Sequence, residues 1–139
     1  MSVAARSLPC VTRPTLDALL TKCTEQGVRV RWARLPAGME GCYDHARATI
    51  WLRAGDPEWV SVPVLLHEME HARRGDDGHQ SRAVERRIDE TVSHRLITAE
   101  EYARAEAVTG ARDSGAIAAE MGLPRWVVSA YRRTLRRVR

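Results

Sequence analysis

A chain of 139 residues has room for one domain, or for one domain with a small appendage. Hydrophobic residues make up 44% of it, but aromatics are only 5% and Phe is absent, so any core must be built from aliphatic side chains and Trp. The formal net charge of +4 is mildly basic and almost wholly arginine, and three cysteines, Cys10, Cys23 and Cys42, with no C-x-x-C pair, argue against a disulfide framework.

Residues 1–12 read as a loose leader without the apolar stretch of a secretory signal. No run of about 18 apolar residues occurs anywhere, so a soluble, cytoplasmic protein is the expectation. Pro14 suits a first helical turn. Leu16, Leu19, Leu20 and Cys23 then recur at helical spacing, and Gly27 closes that helix. Val28 to Trp32 alternates apolar and charged residues with period two, which predicts a half-buried strand. Pro36 to Gly41 reads as a turn region. Ala48, Ile50 and Leu52 alternate with Arg47, Thr49, Trp51 and Arg53, giving a second strand that Gly55-Asp56-Pro57 breaks. The two strands predict a small antiparallel sheet.

Between Pro57 and Pro63 a helix should begin, and Gly75 should stop it. It carries His67-Glu68-Met69-Glu70-His71, an H-E-x-x-H pattern. Residues four apart stand on one helical face, so His67 and His71 can point two imidazole nitrogens at a single ion. Glu68 is turned about 100° from His67, out of that coordination but within reach of a water beside the ion. Two imidazoles, one further protein ligand and an open water position describe a catalytic zinc site. Glu68 would then serve as general base. The bland alternative is a solvated helix that spells this pattern by chance. Val64, Leu65, Leu66 and Ala72 argue against it, since they surround the histidines with apolar residues.

A polar loop from Asp76 to Gln80 leads into a second long helix, about Ser81 to Ile97. Val84, Ile88, Val92 and Leu96 fall on one arc of it, which should face the core. Glu85 lies inside that arc and Asp89 just beyond it, whereas Glu90 and His94 project well away. A carboxylate turned to a core is expensive unless paired or metal-bound. Glu85 is therefore the favoured third ligand, with Asp89, Glu90 and Asp76 as alternatives.

Past Thr98 the character changes, and residues 98–139 read as a region packed on a metal domain of residues 1–97. Glu100 to Val108 predicts a short helix. Ser114 to Arg132 then fits a helix-turn-helix, with Ile117, Met121, Leu123, Val128 and Tyr131 as its small core, Ala118 where the helices cross and Gly122 in the turn. Arginines are frequent and acids absent from Gly122 onward. Arg125, Arg132, Arg133 and Arg136 are candidate contacts to DNA or to a protein partner.

The order H-E-x-x-H, Glu85-x-x-x-Asp89, Arg95-Leu96-Ile97 and helix-turn-helix resembles the ImmA/IrrE family of metallopeptidases, from about Val28 to Arg137. The resemblance implies an α+β fold, a mostly helical zincin-like domain with a small sheet. It implies zinc bound by His67, His71 and Glu85, Glu68 as catalytic base, and Asp89 as the acid orienting a ligand histidine. Manganese is the alternative metal; two imidazoles and a carboxylate suit zinc best. The implied activity is limited proteolysis of a cytosolic repressor of the xenobiotic-response-element type, relieving repression under stress or on phage induction. Two departures stand out: Glu70 occupies a position that is more often small, and Ile88 one that is commonly Ala. Strand Ala48–Leu52 is a candidate edge for an extended substrate, and Tyr43 and His45 are candidate oxyanion contacts. The reading from another class is a DNA- or protein-binding helix-turn-helix module with a structural or inactive metal site.

Overall fold

A computed structural model describes residues 13–110 and 113–138, a mixed α+β fold of six helices and one three-stranded sheet. Helix α1 (Leu16–Glu25) starts at Thr15, whose side chain accepts the Ala18 amide, and buries Leu19 and Cys23. Gly27, with φ +74, then turns the chain into strand β1 (Arg29–Ala33). Strand β2 (Gly41–Asp44) follows, then β3 (Thr49–Arg53).

The strand order is β1-β3-β2, with β3 parallel to β1 and antiparallel to β2. The sheet is therefore mixed rather than antiparallel, and it holds three strands rather than two. The unforeseen strand is Gly41-Cys42-Tyr43-Asp44, which begins with glycine and lacks alternation. Its place at the edge, hydrogen-bonded to β3, makes it a strand. Because β2 forms a hairpin with β3, the Ala48–Leu52 stretch ends up in the centre, with Ile50 and Leu52 fully buried. It cannot offer a free edge to a substrate, and β2 has that edge instead.

Helix α2 (Glu58–Arg74) packs on the sheet and is buried nearly all round in its middle, with Val62, Val64, Leu65, Leu66 and Met69 in the core. Such a helix belongs in the middle of a domain, and α1, β2, β3 and helix α3 (Arg82–Leu96) all pack on it. Gly41 lets β2 come close. A Cβ there would lie 2.6 Å from Val64 Cγ1, inside contact distance.

Ser81 caps α3 by accepting the Val84 amide. Helices α4 (Ala99–Thr109), α5 (Ser114–Met121) and α6 (Arg125–Val138) complete the chain. Gly122, at φ +67, makes the tight turn from α5 to α6. Ile117, Ala118, Leu123, Val128 and Tyr131 are buried around that turn as expected, while Met121 is half-buried. This C-terminal part is bound into the rest. Helix α6 packs along α3, and Arg13 donates to the carbonyls of both Leu96 and Met121.

Helix α3 is therefore wedged between two neighbours, which corrects the one-sided face read from its sequence. Ile88, Val92 and Leu96 are buried, but so is Glu90, under α6. There it pairs with Arg133 and Arg137.

Candidate metal centre and active site

The i, i+4 spacing on α2 brings the His67 and His71 rings together, with centroids 5.0 Å apart. Glu85, one turn into α3, reaches across the gap between the helices. Its Oε2 lies 3.0 Å from His67 Nε2 and 3.3 Å from His71 Nε2, and the two Nε2 atoms are 3.2 Å apart. Ligands about 2.1 Å from a tetrahedral zinc ion stand about 3.4 Å from one another, so these separations are close to the edges of such a polyhedron.

The outer nitrogens decide what this triangle is. His67 Nδ1 is 2.8 Å from Asp89 Oδ1, and His71 Nδ1 is 2.9 Å from Asp76 Oδ2. Each Nδ1 therefore donates to a carboxylate, which leaves both Nε2 atoms as lone-pair acceptors. Two lone pairs and a carboxylate oxygen then face one another within hydrogen-bond distance, with no proton to share in the neutral state. Positive charge between them would resolve that arrangement. His67, His71 and Glu85 could thus hold a metal ion, their ligand atoms lying within 4.8 Å of one another.

The electrostatics favour positive charge at this point. Burial alone would lower the His67 pKa, but the Asp89 hydrogen bond and the charges of Glu68, Asp89 and Glu85 outweigh it and raise it. Burial pushes the Glu68 carboxyl up as well, against the lowering effect of His67 and His71. A carboxyl moved in that direction is better matched to taking and returning protons near neutrality. Asp76 goes the other way: burial would raise it, but hydrogen bonds from Arg74 and His71 hold it down, so it stays an anion against His71.

No family model, curated protein or solved structure matches this chain.

A hollow of about 360 Å³ opens over the site, lined by Met39, Gly41, Cys42 and Tyr43 from the sheet side and by His67, Glu68, His71, Asp76, Gly78, His79 and Glu85. Glu68, only 8% exposed, also lines an adjoining hollow with Glu40, Asp89 and Trp126. The two hollows share Gly41, His67 and Glu68, so one cleft runs past the glutamate beside the free edge of β2.

His67, His71, Glu85 and Glu68 meet at the cleft, and Asp89 braces His67. Glu85 is not core-embedded, since 37% of its side chain is exposed to the cleft. Of the other candidate ligands, Asp76 braces His71, and Glu90 lies on the far side of α3. Glu70 turns away and pairs with Arg73 at 2.9 Å, leaving the metal triangle undisturbed. Tyr43 lines the cleft; its hydroxyl meets His45 Nδ1 at 3.3 Å, while exposed His45 itself stands outside the lining. Arg125 pairs with Asp113, Arg133 with Glu90, and Arg132 donates to Ser114 Oγ.

Sequence reasoning passed over Cys42, His79 and Trp126 as cleft residues. The Cys42 thiol is pushed up by burial, then by Glu68 and Asp44, and so stays protonated. Trp126, at the start of α6, sets its ring edge-on to His67 with centroids 6.1 Å apart. No periodicity announces such a contact. For Asp76 a signal did exist. Gly75, at φ +71, ends α2 in a left-handed turn that brings the Asp76 amide back to the His71 carbonyl at 3.0 Å. An acid just beyond a helix-ending glycine returns toward the last turn.

Proposed function

We propose that this chain is a zinc-dependent endopeptidase of the ImmA/IrrE type, with a cytosolic transcriptional repressor as its protein substrate. The observation that carries the reading is the pair of histidines, each held by its own carboxylate, with Nε2 lone pairs and Glu85 converging beside a buried Glu68 in an open cleft. A structural metal needs four closed protein ligands, and three beside an open cleft suit catalysis better.

His67, His71 and Glu85 would hold the zinc. Bound there, it supplies Lewis acidity, polarising a carbonyl and lowering the pKa of water toward about 7. Glu68 takes a proton from the attacking water and hands it to the leaving amine. Asp89 and Asp76 keep both imidazoles in the tautomer that presents Nε2. The free edge of β2 lies along the cleft, so an extended substrate can pair with Gly41–Asp44 by main-chain hydrogen bonds. Tyr43 is the side chain of that strand placed to meet a substrate carbonyl.

The helix-turn-helix reading of α5 and α6 as a DNA reader draws less support. Arg133 and Arg137 are engaged with Glu90, and α6 lies against α3. The zincin-like label and the repressor substrate rest on the sequence resemblance together with this cleft.

The test is a pair of variants. Purified protein should hold about one zinc per chain. Glu68→Gln should keep that zinc yet lose cleavage of a co-expressed candidate repressor by about 100-fold or more. Well-folded protein without zinc or manganese would overturn the reading, as would full cleavage by Glu68→Gln.

A further inference from the structure

Away from the metal cleft, the most strongly charged concavity lies among the three C-terminal helices. Tyr102 of α4, Ser114 of α5, and Ser129, Arg132, Arg133 and Arg136 of α6 surround a hollow of about 600 Å³. Positions 129, 132, 133 and 136 follow i, i+3, i+4, i+7 spacing, so one face of α6 supplies four of these residues. Like charges three and four apart repel, and this face carries three guanidinium groups.

The chain balances them only in part. Arg133 Nε lies 3.5 Å from Glu90 Oε1, while its Nη2 is buried without a hydrogen-bond partner. Arg132 meets the neutral Ser114 hydroxyl at 3.1 Å. Neither Arg132 nor Arg136 forms an ion pair among the described residues. Glu106 is the single carboxylate in the lining, and it acts on the Tyr102 hydroxyl. With Arg133 turned to Glu90, the recess keeps two cationic forks without an ion pair among the described residues and one engaged acid, so it is short of negative charge.

Guanidinium geometry selects the anion. Each planar fork matches two oxygens of a phosphate, and a phosphate dianion has enough oxygens for several forks and a serine hydroxyl at once. The recess is larger than a bare phosphate and within the size range of small-molecule sites, about 300–1,000 Å³. Leu135 and the Tyr102 ring give it an apolar wall for the organic part of a ligand. A duplex backbone fits less well, because it meets protruding side chains and only 30% of the Arg133 side chain is exposed.

We propose that this hollow binds the phosphate group of a small phosphorylated molecule, of nucleotide size. The site is separate from the metal cleft and does not depend on the peptidase reading.

The experiment titrates the purified full chain with inorganic phosphate and with ADP, at ionic strength held constant with chloride, following backbone amide shifts by NMR. Saturable shifts in α5 and α6 are expected, tighter for ADP than for phosphate. Arg136→Gln is the primary variant, since its exposed side chain forms no ion pair and an unchanged melting temperature will verify its fold. It should weaken both ligands roughly tenfold or more, as loss of a charge-assisted hydrogen bond does. Arg132→Gln should do the same, and Arg125→Gln, on the same helix but outside the hollow, should leave binding intact. Parent-like binding by Arg136→Gln and Arg132→Gln would overturn the proposal. So would shifts reproduced by chloride alone, or tight binding of duplex DNA with no saturation by phosphate or ADP.

Discussion

Asp89 and Glu90 are neighbours on α3, yet they belong to two regions built on different principles. Asp89 faces α2 and completes a group made of acceptors: two carboxylates behind two imidazoles, with Glu85 in front. Glu90 faces α6 and is matched by the guanidinium groups of Arg133 and Arg137. The first cluster could hold a cation from outside, whereas the second carries its own. Two carboxylates one position apart thus contribute to a candidate binding site in one direction and to the packing of two helices in the other. The approximately 100° between successive residues on a helix separates them.

The largest effects should come from breaking the first cluster. His67→Ala, His71→Ala or Glu85→Ala should each lose stoichiometric zinc, measured by metal analysis of purified protein, since two remaining ligands form no stable catalytic site. Parent-like zinc content in Glu85→Ala would mean that the third ligand lies elsewhere.

Removing the supporting acids should cost less. Asp89→Ala and Asp76→Ala should each weaken zinc by roughly 10- to 100-fold, as loss of a carboxylate behind a ligand histidine does. Competition with a chromogenic chelator reads this directly. The two should be similar, because both Nδ1 contacts are of similar length. An effect confined to Asp89→Ala would show that the Asp76 contact contributes nothing.

Glu90→Ala tests the second region. It should lower folding stability by about 2 kcal/mol, less than for a wholly buried pair because 64% of the Arg137 side chain is exposed. Zinc affinity should be unchanged. Urea unfolding with and without a chelator separates the two quantities, and a large loss of zinc affinity would show that the regions are coupled through α3.

The smallest effect is one of pH. Burial alone would raise the Glu90 carboxyl, but Arg137 and Arg133 outweigh it and hold it below the usual glutamate range. A depressed folded-state pKa gives stability that is present above the unfolded value, about 4.3, and lost as pH falls through the folded one. Metal-free protein should therefore lose this contribution only below about pH 4.3, and Glu90→Gln should flatten that limb of an acid-unfolding series. An unchanged acid limb in Glu90→Gln would place the sensitivity at another carboxylate.

Much of the site was legible in the chain, because its central spacing is local. His67 and His71 sit one turn apart on a helix whose apolar flanks announce its burial, and Glu85 and Asp89 repeat the same i, i+4 interval on the next helix. Ser81 at the start of α3 and the helix-ending Gly75 likewise act within a few residues, so their effects could be read in place, whereas Thr15 caps α1 and leaves Pro14 outside the first helical turn expected for it. By itself, then, the sequence determined the existence of the two helices that carry the candidate ligands, the ends of α3 to within a residue or two, and the presence of β1 and β3, although Trp32 of β1 is exposed rather than half-buried.

Tertiary structure decided everything that depends on what lies beside an element. Alternation marks a strand but not its neighbours, so it could not tell that β3 would be central, or that the plain segment Gly41–Asp44 would form the free edge along the cleft. Helical periodicity assigns one apolar face, but α3 packs against α2 on one side and α6 on another, and this buried Glu90 where a solvated charge was expected. Trp126 reaches His67 from 59 positions away along the chain only because α6 lies against α3. Local periodicity records how a residue is turned about its own helix or strand axis; which partner it meets there is set by packing between elements distant in sequence.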